Sequence, residues 1–325
     1  MRFFQILSFA ASGALAASGC GQTPSLSYGL LNDNQTAVTI SDTTSTSRRY
    51  RVFLPDSYDP NTPTPVILSY HGANRQIEQQ VALDELTTSF FNKNYIVVYL
   101  QGVSSSASRP KHTTWEGAPG NEADDFGFTT AVLDALEEEL CIDTSRIYAT
   151  GKSQGGGFVG RLACHATLST RIAAFAPVSG AYYISQLTTD AECADPATVE
   201  IPCDAGRSGI PILAFHGGAD PTIDYEGGLR TYCLPAVRHW AEAWAERNDL
   251  NASEVANTTI ANSDNGVHSS WGNGLVNLVY DGDNIEHDWP SLLENDDNEG
   301  EVTAAFNASS WIMHFFSKHS LPLTY

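Results

Sequence analysis

The stretch Arg146–Gly157, RIYATGKSQGGG, decides how this chain folds. Ile147, Tyr148 and Ala149 read as a short buried strand, and the apolar run from Phe158 to Ala166 reads as a helix. Between them, Gly151-Lys152-Ser153-Gln154-Gly155 matches G-x-S-x-G. Strand, sharp turn with a serine, then helix is the layout of a nucleophile elbow, which pushes the hydroxyl out at the carboxyl end of a sheet. Gly151 and Gly155 suit it because a Cβ would collide in so tight a turn, and Gly156 and Gly157 let the helix pack close to the strand. Gly151-Lys152-Ser153 also looks like the end of a phosphate-binding loop. That loop needs a glycine where Arg146 stands, so the nucleotide reading fails on spacing.

Working outward, Ala37 to Ile40 and Arg48 to Leu54 alternate like half-buried antiparallel strands. Val66 to Tyr70 is an apolar strand ending at His71-Gly72-Ala73, Glu78 to Phe91 has helical spacing, and Tyr95 to Leu100 is a buried strand. Asp124 or Asp125 should cap a helix running to about Leu140. Beyond the elbow, strands are expected at Ile172 to Val178, Ile212 to Phe215 and Leu275 to Tyr280, with helices at Val237 to Arg247 and Thr303 to Lys318. Strands alternating with helices predict an α/β fold, a mainly parallel sheet with helices on both faces. With the elbow this is an α/β-hydrolase fold. Residues 18–325 read as a single catalytic domain, with 179–209 as a possible cap insertion.

The chain has 325 residues, 42% of them hydrophobic, enough for a sizeable core. Its formal net charge of −21 argues against nucleic acid or anionic membranes as partners. Residues 1–17 read as a secretory signal peptide: Arg2 supplies the positive end, Phe3 to Ala11 is mostly apolar, and Ala14-Leu15-Ala16 is a small-x-small cleavage site. The expectation is a secreted, extracellular protein with no spanning helix and no lipid anchor, a monomer being favoured. Asn34, Asn251, Asn257 and Asn307 are N-glycosylation acceptors.

The six cysteines fit an oxidising compartment and three disulfides. Cys141 ends the helix before the elbow strand. Cys164, eleven residues beyond Ser153 on its helix, is carried about 16 Å from the active-site end, which suggests Cys141–Cys164. Cys193–Cys203 would restrain the insertion, leaving Cys20–Cys233 to tie down the N-terminal arm; the arm pairing into the insertion is the alternative. No C-x-x-C or H-E-x-x-H supports a metal site, and no cofactor is expected.

A serine hydroxyl needs a histidine to take its proton and a carboxylate to hold that histidine's tautomer. In this fold they follow in the order Ser, Asp or Glu, His. Asp220 follows a buried strand and a Gly-Gly turn, the place for the acid, with Asp224 as rival. His287 follows the last strand and precedes the final helix, the place for the base. His268, His314 and His319 fit less well, and His71 and His216 belong in strand-end turns. The backbone N–H groups of Gln154 and Ala73 would form the oxyanion hole.

These residues carry a family resemblance. Gly19-Cys20-Gly21, Tyr70-His71-Gly72, Trp115-Glu116-Gly117-Ala118-Pro119, Asp124-Asp125-Phe126-Gly127-Phe128, Ala149 to Gly157, His216 to Asp220 and His287-Asp288-Trp289-Pro290 form an ordered set. It resembles the secreted feruloyl esterases of fungi, in the first family of carbohydrate esterases, with polyhydroxybutyrate depolymerases as relatives. The resemblance implies Ser153, Asp220 and His287 as the triad. It also implies hydrolysis of hydroxycinnamoyl esters on feruloylated arabinoxylan or pectin fragments.

The alternatives are an acetylxylan esterase or polyester depolymerase with the same triad, and a non-catalytic secreted binding protein. An inert module would be free to lose any triad member. Trp115, Tyr182, Tyr183 and Trp289 are candidates to line an aromatic acyl pocket, although for any one of them alone packing under a loop is the favoured reading.

Overall fold

The computed structural model describes residues 16–41, 44–104 and 112–322. The expected signal peptide therefore lies almost wholly outside the described residues. In chain order the elements are β1 (Leu31–Ser41), β2 (Thr44–Phe53), β3 (Thr64–Tyr70), α1 (Ile77–Asp84), β4 (Ile96–Leu100), β5 (Val103–Ser104) and β6 (Thr113–Thr114). Next come α2 (Asp125–Glu139), β7 (Ile142–Lys152), α3 (Gln154–Ala163), α4 (Leu168–Arg171), β8 (Ala174–Val178) and β9 (Ile212–His216). They are followed by β10 (Gly228–Arg230), β11 (Tyr232–Leu234), α5 (Val237–Arg247), β12 (Ala256–Thr259), β13 (Val267–Trp271), β14 (Val276–Tyr280) and α6 (Ala308–Phe316).

Ten strands form one sheet in the order β1-β2-β4-β3-β7-β8-β9-β14-β13-β12. Its six central strands run parallel, and the two outer strands at each edge are antiparallel. Strand alternation sorts the side chains into two cores. Val66, Leu68 and Tyr70 of β3 face α2, α3 and α5, where Phe128, Phe158, Leu162, Trp240 and Trp244 pack. Ile67 and the β4 residues Val97 and Tyr99 face α1 and α6, against Ile77, Ile312 and Phe316. Helices thus cover both faces of an α/β-hydrolase sheet, as the alternation of elements predicts.

Local chemistry sets the ends. Asp124 caps α2, its Oδ1 accepting from Gly127 N at 2.6 Å. α1 stops at Asp84, shorter than the expected 78–91, because Glu85 turns left-handed at φ 52°. The final helix begins at Ala308 rather than Thr303. Residues 281–307 hold neither helix nor strand. The same is true of 179–209.

The disulfides correct all three expected pairings: they join Cys20–Cys141, Cys164–Cys203 and Cys193–Cys233. Cys141 and Cys164 do not meet, because each is taken by a segment that folds back onto it. The N-terminal arm pairs with the start of β7: Ala16 bridges Asp143, Ala17 N donates to Ile142 O, and Gly19 N donates to Glu137 O. This seats Cys20 beside Cys141. The insertion returns to the end of α3, with Asp204 N donating to Cys164 O, and Ile184 bridges Cys233. Cys193 and Cys203 therefore tie the insertion down at two places instead of to each other.

Candidate active site

Ser153 stands between β7 and α3 with φ 58° and ψ −119°, a conformation that costs a residue with a Cβ about 1–3 kcal/mol. The surroundings over-determine it. Ser153 N donates to Val178 O at 2.9 Å, and its carbonyl accepts from Gly157 N at 2.8 Å and Ala181 N at 3.0 Å. A Cβ on Gly151 would stand 2.7 Å from Tyr70 O, and one on Gly155 would collide with the same carbonyl. Only glycine allows the elbow to cross β3 this closely.

Asp220 follows β9 and is buried, its carboxylate filled on every side. Oδ1 accepts from Thr222 N and Ile223 N, both at 2.8 Å. Oδ2 lies 2.6 Å from His287 Nδ1 and 3.2 Å from His216 Nε2. Burial alone would raise its pKa, but the hydrogen bonds from His216 and His287 hold it well below the usual carboxylate range. An ionised Asp220 keeps the proton of His287 on Nδ1, leaving Nε2 as the acceptor. Burial, reinforced by the charge of Lys152, lowers the pKa of His287 to about 4 against the opposing pull of Asp220. The surroundings of His287 therefore favour the neutral imidazole.

The rivals lie elsewhere. Asp224 accepts from Glu226 N in the next turn, and His268 bonds Asn277 Oδ1 on the β13–β14 hairpin. His71 and His216 occupy strand-end turns, as expected. Gly102 N donates to His71 Nε2 at 2.9 Å, so its other nitrogen carries the proton toward Gly72 O at 2.7 Å. His216, the last residue of β9, bonds Ile223 O through Nε2 at 2.7 Å, and the same nitrogen stands 3.2 Å from Asp220 Oδ2.

Ser153 and His287 line one cavity of about 270 Å³. Ala73 lines it too, and a Cβ on the preceding Gly72 would lie 3.4 Å from Ser153 Cβ. Gln154 N opens the first turn of α3, where amides have no partner in the helix. Neither Ala73 N nor Gln154 N donates to an acceptor among the described residues. Ser153 Oγ likewise makes no hydrogen bond among them. The remaining wall is polar: Asn74, Arg75, Gln79, Gln80, Lys152, Arg230, Asp296 and Asp297, with Leu83 and Thr222.

The expected aromatic lining is corrected. Trp115 is fully buried against Tyr70 and Phe158 and donates to His71 O. Trp289 is buried beside α6, donating to Ser309 Oγ. Tyr182 stacks on Trp240 with ring centroids 3.9 Å apart. Tyr182 and Tyr183 face a groove of about 470 Å³ along α3, outside the Ser153 cavity. Large flat side chains gain more from full burial in these cores than from a polar rim.

The sequence reading missed Lys152. Its Nζ donates to His287 O and to Asp297 Oδ2, both at 2.6 Å. No local pattern could have shown this, because those partners lie 135 and 145 residues away. Among the described residues no group of three or more His, Cys, Asp or Glu side chains could hold a metal ion, and no helix is long and apolar enough to cross a membrane. Asn251 and Asn257 are exposed, while Asn34 and Asn307 are half-buried.

No protein-family profile matches the chain. Curated proteins do. A probable feruloyl esterase C of Aspergillus niger is 27% identical over 216 residues, 65% of this chain and 64% of the relative. Feruloyl esterase D of Neurospora crassa is 28% identical over 229 residues, covering 69% and 70%. Feruloyl esterase B of Piromyces equi is 26% identical over 218 residues, covering 65% and 37%. The resemblance is to feruloyl esterases. The match spans less than two thirds of the A. niger and P. equi proteins. Among solved structures, an acetyl xylan esterase from Aspergillus awamori aligns with a TM-score of 0.61 at 15% identity, over 88% of this chain and 99% of its own. Native pOPH aligns with a TM-score of 0.52 at 15% identity, over 95% and 94%. These likenesses show a shared fold.

Proposed function

We propose that this chain is a secreted serine esterase that hydrolyses feruloyl and related hydroxycinnamoyl esters of plant cell-wall polysaccharides. The observation that carries the reading is one cavity holding Ser153 on its strained elbow and His287 with Nδ1 bound by Asp220. Similarity to feruloyl esterases supports the choice of acyl group.

In this reading Ser153 Oγ attacks the ester carbonyl carbon while its proton passes to His287 Nε2. Asp220 steadies the imidazolium, and the oxyanion accepts from Ala73 N–H and Gln154 N–H. Collapse breaks the bond to the sugar oxygen, which takes the proton from His287. Water then gives a proton to His287 and its oxygen to the acyl carbon, and Ser153 is released with the proton restored.

The substrates would be feruloylated arabinoxylan or pectin fragments. A second reading, an esterase for short acyl groups such as acetyl, is favoured by one observation: among the described residues no Phe, Tyr or Trp lines the cavity. Hydrolysis rates on methyl ferulate, methyl sinapate, methyl caffeate and naphthyl acetate separate the two. A kcat/KM for methyl ferulate above that for naphthyl acetate supports the first; naphthyl acetate hydrolysed with no measurable action on any hydroxycinnamate supports the second.

A further inference from the structure

The loop carrying His287 is the least regular part of the site, since 281–307 forms neither helix nor strand. A general base must nevertheless be held closely, because a misplacement of about 1 Å can cost about a hundredfold in rate. Asp220 fixes the imidazole but not the main chain behind it. Ala219 N and Ser179 Oγ hold Ile285 O and Asp288 O on either side, and the carbonyl of His287 itself is held by Lys152, the residue immediately before the nucleophile.

Lys152 is almost wholly buried, 4% exposed, and Asp297 is 9% exposed. Nζ donates to His287 O and Asp297 Oδ2, and the same Oδ2 accepts from Trp289 N at 3.0 Å. Asp297 is braced in turn by Asn295, whose Oδ1 accepts from Asp297 N and whose Nδ2 donates to Trp289 O. One ammonium group therefore ties the elbow to both ends of the His287–Trp289 segment. A buried cation with a carboxylate partner is held more firmly than an exposed pair, and removing one member leaves the other uncompensated.

We infer that Lys152 is a positioning residue that latches the His287 loop to the nucleophile elbow and so sets the distance between base and nucleophile. The inference rests on the proposed esterase reading. It also has an electrostatic side. Lys152, Arg75, Arg230, Asp296 and Asp297 share the cavity with His287, and Asp220, His216 and Asp288 lie beside it; after burial, the charge of Lys152 lowers its proton affinity most, with His216 adding to it. Losing that cation makes protonation of His287 easier, so the neutral base is lost at a higher pH.

The test is Lys152→Met and Lys152→Arg in the full chain, assayed on an aryl ester that the wild type hydrolyses. Lys152→Met is expected to lower kcat by about ten- to a hundredfold with little change in KM, and to move the acid limb of kcat/KM to higher pH. Lys152→Arg should restore part of both. NMR titration of the His287 imidazole in a Ser153→Ala background reads the same shift without activity. A folded Lys152→Met protein with wild-type kcat and an unmoved His287 titration overturns the latch. A wild type inert on every ester overturns the esterase reading instead, while the imidazole titration still decides the role of Lys152. Should Lys152→Met not fold, Asp297→Asn, which keeps Lys152 but removes its carboxylate partner, must lower kcat with KM held, and failure to do so overturns the latch.

Discussion

His287 Nδ1 and Asp220 Oδ2 lie 2.6 Å apart although 67 residues separate them in sequence. The contact follows from parallel pairing of β9 with β14, which aligns His216 with Tyr280 and sends the Asp220 turn and the His287 loop off the same sheet end. Ser153 leaves β7 at that end too. Three distant segments thus converge because their strands run in parallel.

Asp220→Asn should reduce kcat by about three to four orders of magnitude, because an amide can neither fix the tautomer of His287 nor stabilise its cation. Asp224→Asn, altering only a turn that holds Glu226 N, should leave kcat within about twofold. Kinetics of the two purified variants check this. A mild Asp220→Asn beside a crippled Asp224→Asn would reassign the acid.

Activity should rise with pH through the titration of His287, since only the neutral imidazole accepts the serine proton. With its pKa lowered to about 4, kcat/KM should already be near its plateau at pH 6. An acid limb centred at or above 6.5, the ordinary value for histidine, would contradict the buried, Lys152-flanked setting.

Stability should fall as pH rises above 6.5. Burial raises the carboxyl of Asp288 to about 7 and that of Asp281 well above the ordinary 3.8, so the folded chain keeps protons that the unfolded chain has released. This stabilisation is complete below about 3.8 and is lost as pH climbs through the folded values. His71 and His287, lowered to about 4, work in the opposite direction, an effect that fades above about 6.5 as the unfolded imidazoles lose their protons. Once those protons are gone the carboxyls act alone. Tm measured from pH 6.5 to 8 should decline, and Asp281→Asn should flatten the decline. A Tm that rises over this range would be the contrary result.

Peptide mapping without reduction should recover Cys20–Cys141, Cys164–Cys203 and Cys193–Cys233. The first closes the longest loop, spanning 121 residues, for which chain entropy alone gives a contribution of about 4–5 kcal/mol. Cys20→Ala should accordingly lower Tm clearly without changing KM. A Cys141–Cys164 peptide would contradict this framework.

What the sequence made legible was local. Gly151 to Gly155 specify their turn by steric exclusion, and apolar runs of five to seven residues specify buried strands. The strand-end positions that bring Asp220 and His287 together were legible because parallel strands end at one edge. The cysteine pairing was not, since it depends on where the arm meets β7 and where the insertion returns to α3. Nor was the fate of Trp115, Tyr182 and Trp289, because an aromatic ring packs in a core or lines a pocket with the same local pattern. Lys152 illustrates the limit of motifs: it occupies a variable position of G-x-S-x-G, and its partners become visible only in three dimensions.

Ferulate release from methyl ferulate, compared between the wild type and Ser153→Ala, is the most direct test of the proposed reaction. The expected result is steady release by the wild type and a loss of about three orders of magnitude or more in a folded Ser153→Ala protein, because only the nucleophile is removed. Release by Ser153→Ala at a near wild-type rate, or none by a folded wild type, would contradict it.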